Sequence, residues 1–95
     1  MSDRLEREQL EQELLILRRE VDEAEESIYE SVRLFYRVQD AAYEDASRHG
    51  VFDGEVKRVL EQNQDEFFEV KRDADRLVEC KQEECDRLAA KLADL

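Results

Sequence analysis

Apolar side chains recur along the first half of this chain in steps of three and four: Leu10, Leu14, Leu17, Val21, Ala24, Ile28, Phe35, Val38 and Ala42. Only Ser31 interrupts the series. Apolar residues at alternating three- and four-residue spacing form one stripe of a helix, and a strict seven-residue repeat predicts a left-handed supercoil against a second helix. The pattern predicts a helix over about residues 3–48, a rod about 65–70 Å long at ~1.5 Å per residue. In the second half, Val56, Leu60, Phe67, Val70, Ala74 and Leu77 keep the same register, with Asn63 as a polar layer. Beyond it the row continues as Leu77, Lys81, Cys85, Leu88, Leu92 and Leu95. Its two consecutive steps of four are a stutter that locally unwinds a supercoil. The second predicted helix covers about residues 54–94.

Between the two patterns stands "RHGVFDGEV", which holds both glycines of a chain that has no proline. Two glycines so close together cost about 1 kcal/mol each inside a helix, which argues against one unbroken rod. Gly50 suits the left-handed position just past a helix end, and Asp53 suits the N-cap of a helix beginning near Gly54. A turn over 49–53 is short enough to lay the two arms side by side. The predicted fold is therefore all-α: a single-domain antiparallel two-helix hairpin, coiled-coil-like, that completes a helical bundle with a partner. Phe52, set inside the turn, has two readings. It can fold back on the first turn of the second helix near Val56, or it can plug the open end of a neighbouring bundle.

Charge narrows the choice of partner. The 95 residues include 27 acidic and 15 basic side chains, for a net charge of −12. Nucleic acid and anionic lipid both require clustered positive charge, which neither half supplies. No apolar run approaches the ~20 residues of a membrane span, so membrane insertion is not expected. "MSDRLEREQL" lacks the basic start and apolar core of a cleavable leader, which predicts a cytoplasmic protein whose export would need an unconventional route.

The first helix carries a second row. Its three tyrosines, Tyr29, Tyr36 and Tyr43, are spaced seven apart beside the seam, with Val32 and Ala46 next to them and Leu34 on the seam's other flank. Phe68, following the seam residue Phe67, is the corresponding lateral ring on the second helix. Helices with two apolar stripes touch two neighbours, and tyrosine suits such a place because its ring packs while its hydroxyl reaches solvent. Tyr29, Val32, Tyr36, Tyr43 and Phe68 are accordingly the expected partner-binding residues. A surface tyrosine lying along its own helix is the plainer alternative.

Catalytic chemistry is not visible. One histidine, His49, and two cysteines, Cys80 and Cys85, supply too few zinc ligands, and cysteines five apart on a helix point in different directions. There is no Gly-rich phosphate loop and no Glu-x-x-His pair for a carboxylate-bridged metal site. The expectation is a non-enzyme without cofactors.

An acidic hairpin of about a hundred residues with an aromatic-x-Gly turn resembles the small Trp-x-Gly proteins of type VII secretion, the matching stretch here being "VFDGEV" with Phe52 in place of tryptophan and Gly54 as the glycine. The family's C-terminal tyrosine–acid export motif has no counterpart in "VECKQEECDRLAAKLADL". With "RLFYRVQD" and "DEFFEVKRD", the chain looks more like the accessory targeting factors encoded beside LXG-domain toxins of Gram-positive bacteria. That resemblance implies a targeting chaperone that binds the helical N-terminal domain of a larger secreted toxin, with a second small helical hairpin as a further candidate partner. A structural coiled-coil homo-oligomer or adaptor is the competing expectation. An acidic mimic of nucleic acid, which the charge alone would suggest, is disfavoured because arginines are interleaved with the acids.

Overall fold

The computed structural model describes residues 2–50 and 54–95. Helix α1 runs Ser2–Arg48 and helix α2 runs Gly54–Ala93, with no strand among the described residues. The fold is an all-α helical hairpin. Both arms are rich in Leu, Glu, Arg, Gln and Ala, which lose little side-chain freedom in a helix, and neither holds an interior glycine or proline. Asp3 and Glu55 stand in the first turns, and Arg48 and Lys91 in the last, each opposing the local helix-dipole charge.

The end of α1 is set by its backbone. The His49 N–H donates to the Asp45 carbonyl at 3.1 Å and the Gly50 N–H to the Ser47 carbonyl at 3.2 Å. Gly50 then takes a φ of 67°, the left-handed conformation in which a Cβ would crowd its own backbone. Apart from its chain neighbours, no atom of the described residues lies within 4 Å of where that Cβ would stand, so conformation rather than packing demands glycine here. Gly54 is the first residue of α2. The turn readings placed on Phe52 and Asp53 lie outside the described residues.

Two helices with no third layer touch only the stretch opposite, and the chain divides into two compact units: Met1–Glu26 with Asp75–Leu95, and Ser27–Ala74. In the first unit, Leu14, Val21 and Cys85 are buried, with Leu17, Val78, Leu88, Ala89 and Leu92 packed against them. Lys81 Nζ donates to Glu20 Oε2 at 3.3 Å across the helix pair. Half-exposed as both are, this pair contributes ~0–1 kcal/mol. Both thiols are free, Cys80 exposed and Cys85 only 2% exposed, so Cys85 serves as a small apolar filler. In the second unit the rings of Phe35 and Phe67 stack at 4.2 Å with an interplanar angle of 5°, and Ala46 is buried nearer the turn. Phe35 pairs with Phe67 and Gln39 with Gln64, so moving up one helix moves down the other, the signature of antiparallel packing.

The inward rows depart from the heptad expectation. Leu10, Leu14, Leu17, Val21 and Ile28 turn inward on α1, and Leu60, Phe67, Leu88 and Leu92 on α2. Val38, Val70 and Leu77 do not: they are 59%, 67% and 67% exposed. Gln39, Lys71 and Val78 take the inward places beside them, and Val32 replaces Ser31. Val32 and Ala46, expected on the lateral row, thus belong to the seam. The cause is helical pitch. Seven residues of a straight helix fall ~20° short of two turns, so a strict heptad row drifts off the contact strip after a few repeats. Each arm compensates once with two consecutive steps of four, Ala24–Ile28–Val32 on α1 and Val56–Leu60–Gln64 on α2. The stutter expected at Leu77–Lys81–Cys85 is absent, because Ala74–Val78–Lys81–Cys85 runs in regular steps.

Two measurements check this packing. Leu14→Ala is expected to cost about 2–5 kcal/mol in urea unfolding followed by circular dichroism, and Val78→Ala to cost more than Leu77→Ala, which stays within ~0.5 kcal/mol; the heptad row would give the opposite order for the last two. Under native conditions, iodoacetamide is expected to label Cys80 at the rate of a free thiol and Cys85 only as fast as the helices open, as read by mass spectrometry.

Candidate interaction surface

The unit formed by Ser27–Ala74 carries the aromatic residues singled out by the sequence pattern. Seven-residue spacing puts Tyr29 and Tyr36 on one side of α1, because seven residues return to nearly the same azimuth. Phe35 precedes Tyr36 by one residue and turns toward α2, where its ring meets Phe67. The same division recurs on α2, where Phe67 is the inward ring and Phe68 the lateral one.

The four rings form one cluster. Tyr36 meets Phe35 edge-on at 5.8 Å and Phe68 at 6.1 Å and 58°. Phe68 meets Phe35 edge-on at 6.2 Å and Phe67 at 5.6 Å. Edge-to-face pairs at these separations are attractive beyond the area they bury, because the positive ring edge meets the negative face. Phe68 is half-buried, while Tyr36 stays 45% exposed and offers one flank of the cluster to solvent. Tyr29 lies exposed with the Arg33 guanidinium 5.9 Å from its ring centroid, a cation–π geometry. Tyr43 is half-buried. The structure therefore joins Tyr36 and Phe68, leaves Tyr29 as a separate exposed ring, and takes Val32 into the seam.

Next to the stacked phenylalanines, Gln39 Nε2 donates to Gln64 Oε1 at 3.0 Å across the helix pair. Gln39 Oε1 is buried and accepts no hydrogen bond from the described residues. This amide pair was not marked by the sequence pattern, which placed Val38 and Asn63 at that level. A shallow groove beside it is lined by Phe35, Val38, Gln39, Ala42, Leu60 and Asn63. Among the described residues, no group of three or more His, Cys, Asp and Glu side chains could hold a metal ion. No helix among them is long and apolar enough to cross a membrane.

The inward and lateral rings are separable by mutation. Phe35→Ala is expected to destabilise the hairpin by about 3 kcal/mol, since it removes both the stack and the edge contacts, whereas Tyr29→Ala stays within about 0.5 kcal/mol. Thermal unfolding of the two variants checks the difference.

Comparison with known protein families, curated proteins and solved structures gives no match.

Proposed function

We propose that this chain is a non-catalytic binding protein whose hairpin lays its aromatic side against helices of a larger partner. One observation carries the reading: Tyr36 is 45% exposed although its ring belongs to the Phe35–Phe67–Phe68 cluster, so the aromatic packing continues to the surface and ends in solvent. Aromatic rings held rigidly at a surface are efficient anchors, since little conformational freedom remains to be lost on binding. The thin interior points the same way. Leu14, Val21, Ala46 and Cys85 are the only buried apolar residues among the described ones, and a further helix would add to that small core.

The partner class comes from the sequence resemblance. In that reading the hairpin is a targeting factor for a type VII-secreted LXG-type toxin. Tyr29, Tyr36 and Phe68 would meet the toxin's helical N-terminal domain, and the chain would stay in the cytoplasm or leave only in the toxin's company. Helix against helix suits both sides, because an amphipathic partner helix can bury its stripe on the aromatic row without either backbone losing a hydrogen bond.

Co-expression with the helical N-terminal domain of an LXG protein encoded beside the gene tests the proposal. A stoichiometric complex on size-exclusion chromatography is expected for the native chain. Tyr36→Ala combined with Phe68→Ala is expected to weaken it at least tenfold while leaving the hairpin helical. A symmetric, fully folded homo-oligomer that ignores the domain would instead support the structural-module reading.

A further inference from the structure

We draw no further inference here: the strongest candidate, the exposed aliphatic face of the Ser27–Ala74 unit that carries Leu34, Val38, Val59 and Val70, supports no proposal because nothing in the structure shows what covers it.

Discussion

A helix that touches one neighbour can hide only the strip of its circumference facing that neighbour. Everything else about this hairpin follows from that limit. Only a narrow row of side chains on each arm, from Leu14 and Val21 to Cys85, reaches burial, and apolar residues a single position off the row emerge into solvent. Leu34, Val38, Val70 and Leu77 are large and apolar, yet no residue of the opposite arm covers them fully. In a globular domain a third layer would do so. The exposed apolar surface is therefore a property of the architecture.

The two sides of the Ser27–Ala74 unit divide that surface by chemistry. One side ends in rings and mixed charge, with Arg33 over Tyr29 and Tyr36 against Phe68. The other presents the exposed aliphatic side chains of Leu34, Val38, Val59 and Val70. Rings restrict the geometry of whatever packs on them, while an aliphatic row accepts a range of helices and leaves discrimination to charge.

Much of the fold was legible because helix periodicity and chain breakers are local signals. The absence of proline, the two clustered glycines and the steps of three and four were sufficient for two helices and a break between them, and Gly50 adopts the left-handed conformation anticipated for it. The azimuth of each row was less legible. Val38 and Gln39 are neighbours on the helix, and choosing which faces inward depends on accumulated twist across several turns. Hydrophobicity favours the valine at that level, but twist places the glutamine inside. Leu77 and Val78 pose the same choice between two apolar residues, where composition gives no help. The lateral ring of Phe68 and the tyrosine row were readable from spacing alone. The meeting of Tyr36 with Phe68 was not, since it depends on how far one arm is slid along the other.

That sliding has a fixed stop. Gln39 and Gln64 find each other across a seam made otherwise of Phe35, Phe67, Leu60 and Ala42. Displacing one arm by a turn would sever their bond and set the part-buried carboxamides against hydrocarbon, a loss of about 1–3 kcal/mol. Leucine at both places would pack as well in many alignments. A single amide clasp thus favours one notch of a repetitive helical zipper.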